Sequence, residues 1–179
     1  SKYCLTPEFV QGIRALGKMD LLFDICIRPA ELHDAVELCR QVPETTFVLD
    51  HCGNADPYVV NGQREIDSYN SDTTFVHSKE SWWQDICELG ELENVYCKIS
   101  GIVARAEARW NSETLAPTVN ACLDAFGEDR VIFGGDWPVC TLGSSLAQWI
   151  AALKEIVTNR PSEMQEKLFS LNAKRLYQL

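Results

Sequence analysis

The sequence predicts an α/β fold in which helices cover a parallel β-sheet, and three observations support this prediction. Four short runs rich in β-branched and aromatic residues are bounded by Gly, Pro or Asn, as strands are; they span 21–27, 46–53, 94–101 and 130–138. Segments with helical periodicity separate these runs. Each run is apolar on both faces, which is typical of strands buried in a parallel sheet.

The segments between the strands carry the spacing and end signals of helices. Pro29 suits the first turn of a helix, and apolar residues then recur at helical spacing up to Pro43. Ser81 and Gln84 are spaced as a capping box that would open a helix through Leu89. Three further helices complete the pattern, over 115–126, over 146–157 and from about 162.

Length and charge limit the classes of function. The chain has 179 residues, enough for one domain over 1–179, whereas a complete eight-stranded α/β barrel typically needs about 250. Its 16 basic and 26 acidic residues give a net charge of -10, which disfavours binding to nucleic acid or to anionic membranes. No run of roughly 18 apolar residues or secretory signal is evident. We therefore expect a cytoplasmic protein that acts on a small molecule.

The cysteines predict reduced thiols. The sequence has eight of them with no C-x-x-C pair, at positions 4, 26, 39, 52, 87, 97, 122 and 140, so a zinc or disulfide framework is not indicated. Several lie within apolar strand or helix patterns, where a thiol packs as a small hydrophobe. This usage fits a reducing compartment.

Three titratable residues fall at or near the C-terminal ends of different predicted strands. They are His51, Lys98 and Asp136. In parallel α/β folds these strand ends share one face, where active sites are built, so we expect the three side chains to converge. If His51 and Asp136 both enter that face, strand alternation predicts that Asp50 points towards the helices.

Each of these residues also has a structural interpretation. A histidine at a strand end is often only a hydrogen-bonded structural residue, Asp136 could cap the following loop, and the Lys98 ammonium could simply reach solvent. The polar insert over 55–79 has a length typical of functional or mobile loops, and the sequence leaves its role open.

Four motifs in order carry a resemblance to a known family. FVLDHCG, VYCKISGI, FGEDRVIFGGDWPVC and the closing NAKRLYQL resemble the amidohydrolase-related family that includes sugar lactonases and pyrone-dicarboxylate lactonases. The resemblance implies a (β/α)8 TIM barrel in which this chain carries about the last four β/α units. The stretch TPEFVQGIRAL would then precede the fifth strand of that barrel.

The resemblance also implies roles for the strand-end residues. His51 matches the histidine of the sixth strand and is expected to be catalytic, polarising the carbonyl or binding substrate. Asp136 matches the aspartate of the eighth strand, which acts as general base on the attacking water. Lys98 belongs to the motif of the seventh strand and is expected to bind substrate. Such enzymes often bind zinc, but the lactonase branch is generally regarded as able to work without metal; we expect no cofactor, with zinc or another divalent metal as the alternative.

One family motif is missing. The family carries H-x-H at the end of its first strand, and no two histidines here are separated by one residue. We therefore expect the C-terminal half of a barrel, as a fragment of a longer protein or a unit completed by self-association or by a missing N-terminal half. An open half-barrel would expose two sheet edges and an apolar interior.

Three functions follow from the resemblance. The first is a hydrolase that opens a cyclic ester, with Asp136 as general base; in an acidic chain, a neutral sugar lactone fits better than a dicarboxylate. The second is a metal-dependent decarboxylase of the same superfamily. The third is a catalytically incompetent truncated barrel that acts as a scaffold or is an inert fragment.

Overall fold

The predicted parallel sheet forms the centre of the molecule. The computed structural model describes residues 2–64, 76–106 and 109–179. The four strands are β1 (Phe23–Ile25), β2 (Phe47–Leu49), β3 (Val95–Ile99) and β4 (Val131–Phe133). They are all parallel and lie in the order β1-β2-β3-β4. Each strand is shorter than its predicted run, because the flanking residues form turns at the two ends of the sheet.

Helices separate the strands along the chain, as the sequence predicts. Before β3 they are α1 (Pro7–Lys18), α2 (Leu32–Gln41), α3 (Pro57–Val60) and α4 (Lys79–Gly90). After β3 they are α5 (Ser112–Phe126), α6 (Leu146–Ile156), α7 (Ser162–Glu166) and α8 (Asn172–Tyr177). A π-helical turn, Lys167–Leu171, joins the last two. None of the helices described is both long and apolar enough to span a membrane.

Helix α4 begins earlier than predicted. Its capping box is formed by Ser78 and Ser81: the Ser81 backbone N–H donates to the Ser78 side chain over 3.0 Å, and Ser81 Oγ accepts from the Ser78 N–H. The predicted partner Gln84 instead donates to Glu88 one turn further on. Ser78 and Ser81 have the capping-box spacing of three residues, and they satisfy backbone N–H groups that lack a partner within the helix. The helix therefore starts at Lys79.

The two faces of the sheet have different environments. Register pairs Leu49 with Cys97 and Cys97 with Val131, and all three residues lie in the core between sheet and helices. Successive side chains alternate, so Val48 and Ile132 point to the opposite, concave face.

The concave face is less open than predicted. Val48 and Ile132 are almost fully buried, which contradicts the expected exposed apolar interior. Tyr177 of α8 interacts with Lys98, which shares the concave face. At the β4 edge, Asn172 Nδ2 donates over 2.7 Å to the carbonyl of Val131. The C-terminal segment thus protects one sheet edge and part of the concave face.

The polar insert predicted over 55–79 is only partly described. It contains α3, where the Asp56 side chain accepts from the Tyr58 N–H at the helix start. Asp56 is buried and forms an ion pair with Arg64 at 2.7 Å. Residues 65–75 lie outside the described residues.

Candidate active site

His51 and Asp136 meet at the C-terminal ends of the strands. His51 follows β2 and Asp136 follows β4, and His51 Nε2 lies 3.8 Å from Asp136 Oδ1. Their side chains are 20% and 15% exposed, so both are largely enclosed yet remain open to a ligand. The structure therefore brings together the two residues for which the sequence predicts catalysis.

A left-handed turn places His51 at this site. Residues 51–54 have φ values of 55°, 52°, 68° and 55°, a conformation that non-glycine residues rarely adopt. Inside the turn, the Gly53 N–H donates to the Asp50 carbonyl over 2.9 Å, and Trp82 Nε1 donates to the Cys52 carbonyl over 3.0 Å. Because the chain leaves the strand here, His51 does not follow Leu49 to the helix side of the sheet.

The predicted orientation of Asp50 is wrong. Asp50 Oδ1 accepts from Lys98 Nζ over 2.6 Å, so its carboxylate lies on the concave side of the sheet. The alternation argument assumed that β2 stays extended through His51. In the structure, Asp50 continues the side of Val48, and the alternation ends at His51.

Lys98 is held by two carboxylates. Its ammonium also donates to Asp24 Oδ2 over 2.7 Å, and its side chain is 19% exposed. Burial by itself would lower the pKa of Lys98, but the hydrogen bonds to Asp24 and Asp50 outweigh it and raise the pKa above the ordinary lysine value. Lys98 is therefore a fixed cation beside the His51–Asp136 pair.

Ser100 forms a hydrogen bond with the imidazole of His51. Ser100 Oγ lies 2.8 Å from His51 Nδ1, and its hydroxyl can either donate or accept there. If Nδ1 carries the proton, Nε2 is a lone-pair acceptor. If Ser100 donates to Nδ1, Nε2 carries the proton and is a hydrogen-bond donor. One buried hydroxyl thus supports both chemical uses of the imidazole.

Gly101 lets the imidazole approach the backbone. Its φ of +69° favours glycine, and a Cβ built there would lie 2.5 Å from His51 Cγ. A side chain at residue 101 would therefore displace the His51 ring from Asp136.

We expect Gly101→Ala to lower the turnover of the catalytically complete protein by at least ~10-fold, because a displacement of about 1 Å at a catalytic group is costly. It should also lower the free energy of unfolding by about 1–3 kcal/mol through backbone strain. Gly12→Ala in α1, where a Cβ would contact nothing within 4 Å, is the control. Turnover that is equal in the two variants would contradict the assigned role of Gly101.

The glycines before Asp136 serve packing within the protein. A Cβ at Gly134 would lie 2.9 Å from Ser100 Cβ and 3.1 Å from Lys98 Cγ, and one at Gly135 would lie 3.0 Å from Leu146. Side chains of the protein thus occupy the space beside these two glycines. These glycines allow the Lys98 and Ser100 side chains to pack beside β4.

The backbone around Asp136 is fixed by hydrogen bonds. Asp136 has a φ of 50°, and its carbonyl accepts from the Cys140 N–H over 2.7 Å. Trp149, which is buried, donates through Nε1 to the Gly134 carbonyl over 3.0 Å. The carboxylate is therefore presented on a turn anchored from both sides, which preserves its direction.

The pair of His51 and Asp136 fits two ligands of a divalent metal. An ion bound at ~2.0–2.2 Å to each is compatible with their 3.8 Å separation. Cys26, Asp50 and His51 also bring ligand atoms within 4.8 Å of one another, but Asp50 is already bound to Lys98. The C-terminal ends of the strands form the mouth of the partial barrel. Within the described ranges, this mouth thus offers two well-placed ligands, and a complete metal site needs others.

Sequence reasoning missed three residues of the site: Asp24, Ser100 and Gly101. A carboxylate inside the apolar run LLFDICI was a signal for Asp24, since a charge in a buried strand needs a partner. No comparable signal marked Ser100 or Gly101, because their roles depend on the position that His51 takes after leaving β2.

Comparison with known proteins places this arrangement in a family. A family model described as Amidohydrolase matches residues 4–179. L-fucono-1,5-lactonase of Burkholderia multivorans is 29% identical over 178 residues, covering 96% of this chain and 56% of that protein. L-fucono-1,5-lactonase of Burkholderia ambifaria is 30% identical over 147 residues, covering 82% of this chain and 45% of that protein.

A solved structure shows the same fold. The crystal structure of an amidohydrolase from Burkholderia multivorans with bound zinc superposes with a TM-score of 0.82 at 27% identity, covering 99% of this chain and 59% of that one. The chain thus spans about half the length of the relatives it matches. Its four-stranded parallel sheet with helices is part of a TIM barrel, which confirms the predicted fold class. This chain belongs to the amidohydrolase family.

Proposed function

We propose that this chain supplies the C-terminal half of the active site of a hydrolase that opens a sugar lactone. The observation that carries the proposal is the placement of His51 Nε2 3.8 Å from Asp136 Oδ1 at the mouth of the partial barrel. Homologues named as lactonases support the reaction class.

Asp136 is the general base in this proposal. Its carboxylate accepts a proton from water as the water oxygen attacks the lactone carbonyl carbon. The ring C–O bond then breaks, and the same carboxyl group returns the proton to the leaving oxygen. The product is an open-chain hydroxy acid. Its new carboxyl oxygen and its two added hydrogens all come from the water.

His51 activates the lactone carbonyl that the water attacks. With Ser100 donating to Nδ1, the Nε2–H points into the mouth and can donate to the carbonyl oxygen as negative charge develops. The opposite tautomer makes Nε2 an acceptor, suited to a metal. A divalent ion held by His51 and Asp136 would supply Lewis-acid polarisation when bound.

The remaining charges favour a neutral polyol. Beside Asp136, the site carries Asp24 and Asp50, which are both paired with the Lys98 ammonium. Because two carboxylates already pair with Lys98, this ammonium adds little attraction for a dianionic substrate. The Asp24 side chain is 38% exposed and can accept hydrogen bonds from sugar hydroxyls, and we propose that Lys98 holds this edge in place for substrate binding.

Catalysis in this proposal requires a second half-barrel. The matched relatives are about twice as long as this chain, and β1 and β4 lie at the two ends of the described sheet. We propose that complementary strands complete the mouth, from the rest of a longer polypeptide or from a second chain. A cytoplasmic location is proposed for the same protein, since the eight cysteines are free thiols.

The test measures kcat/KM of the catalytically complete protein for two lactones and compares the two values. We expect kcat/KM for neutral L-fucono-1,5-lactone to exceed that for 2-pyrone-4,6-dicarboxylate by at least ~10-fold, because like-charge contacts cost more than ~1.4 kcal/mol in a partly enclosed site. Acid release during ring opening gives the rate. Opening of neither lactone, with release of CO₂ from an aromatic acid instead, would overturn the proposal in favour of the decarboxylase.

A further inference from the structure

Three buried cysteines lie together behind the turn that carries His51. Cys52 follows His51 in that turn, Cys97 is in β3 and Cys122 is in α5. All three are fully buried, and their sulfur atoms lie within 4.8 Å of one another. Three elements that are distant in sequence therefore converge on one thiol cluster.

The spacing of the sulfur atoms suits a single soft metal ion. A metal bound to three sulfurs at ~2.3 Å in a plane holds them about 4 Å apart. The sulfur atoms of Cys52, Cys97 and Cys122 lie within 4.8 Å of one another, so a contraction of at most about 0.8 Å reaches that geometry. Thiol ligands select soft ions such as Cu(I) over hard ions such as Mg²⁺.

Coordination number argues against zinc here. Structural zinc takes four protein ligands, and an open zinc position takes water. Among the residues that the structure describes, this group has three members, and its complete burial leaves no access for a water ligand. Three-coordinate Cu(I) needs neither a fourth side chain nor solvent.

We propose that Cys52, Cys97 and Cys122 form a binding site for one Cu(I) ion. The site lies on the helix side of the sheet, separate from the His51–Asp136 pair, and does not depend on the proposed lactone chemistry. Because Cys52 adjoins His51, a bound ion would also fix the left-handed turn.

The test is an anaerobic titration with Cu(I) buffered by a competing chelator. The starting protein carries Ser in place of the three cysteines that are not fully buried, Cys4, Cys26 and Cys87. We expect one Cu(I) per chain. Two independent variants, Cys122→Ala and Cys97→Val, should each weaken Cu(I) binding by more than ~100-fold. This exceeds the usual effect of changing a residue that only contacts a metal ligand. Val is chosen at residue 97 because it suits a β-strand.

Cys39→Ala is the matched control, since Cys39 is equally buried and lies in α2 outside the cluster. It should bind Cu(I) as the starting protein does. Added Cu(I) should raise Tm only in the starting protein and in the Cys39→Ala control, and not in the cluster variants. Circular dichroism checks that each variant is folded. Equal Cu(I) affinity in all folded variants, or equal weakening by Cys39→Ala, would overturn the site.

Discussion

Replacing Asp136 by Asn should lower kcat for lactone opening by at least ~100-fold in the catalytically complete protein, with little change in stability. The amide keeps the size of the carboxylate but cannot take a proton from water. Asn also tolerates the positive φ of 50° at this position. We therefore expect the free energy of unfolding to stay within about 0.5 kcal/mol of the wild type.

The control for this variant is Asp20→Asn. Asp20 also has a positive φ, 56°, and is exposed between α1 and β1, so the same chemical change is made on a similar backbone away from the mouth. Its kcat should match that of the wild type. Near-full activity in Asp136→Asn would remove Asp136 from the role of general base, and a loss shared with Asp20→Asn would indicate a general effect on folding.

Replacing Lys98 by Met should cause the largest loss of stability among single changes at the mouth. It leaves the Asp24 and Asp50 carboxylates facing each other without the cation that joins them at 2.7 and 2.6 Å. Breaking a fully buried pair costs ~3–5 kcal/mol. Since Asp24 is 38% exposed, solvent screening reduces the expected loss to about 2–3 kcal/mol.

Urea unfolding at pH 7 measures this loss. The ion pairs raise the pKa of Lys98, so their contribution is complete below the unfolded lysine pKa of ~10.4 and is lost only as pH rises through the higher folded value. At pH 7 the wild type therefore shows the full effect. Lys154→Met, at an exposed position in α6, is the control and should change stability by less than ~0.5 kcal/mol.

A second change should recover part of the loss. In the Lys98→Met protein, Asp50→Asn removes one of the two carboxylates left without a cation, so the double variant should be more stable than the single one. Additive losses in Lys98→Met, Asp50→Asn and the double variant would show that the two groups are not energetically coupled.

The sequence predicted the parallel sheet and the meeting of His51 with Asp136 because both depend on patterns within short segments. Apolar runs identify strands, and parallel strands bring their C-terminal ends to one face. The Asp50 prediction failed because alternation holds only while the strand is extended, and the left-handed turn at 51–54 ends that regularity.

Other features depend on contacts that no local pattern reveals. The approach of Gly101 to His51 and the meeting of Cys52 with Cys97 and Cys122 join segments that are distant along the chain. The sequence contains no C-x-x-C motif, yet three scattered cysteines converge once the helices pack on the sheet.

The rate at which the catalytically complete protein opens L-fucono-1,5-lactone, measured by acid release against the spontaneous reaction, tests the central claim most directly. The account predicts catalysed opening that saturates with lactone and is lost when His51 is replaced by Ala. Opening no faster than the spontaneous reaction, in a folded protein with both halves of the barrel present, would contradict the assignment of this site to lactone hydrolysis.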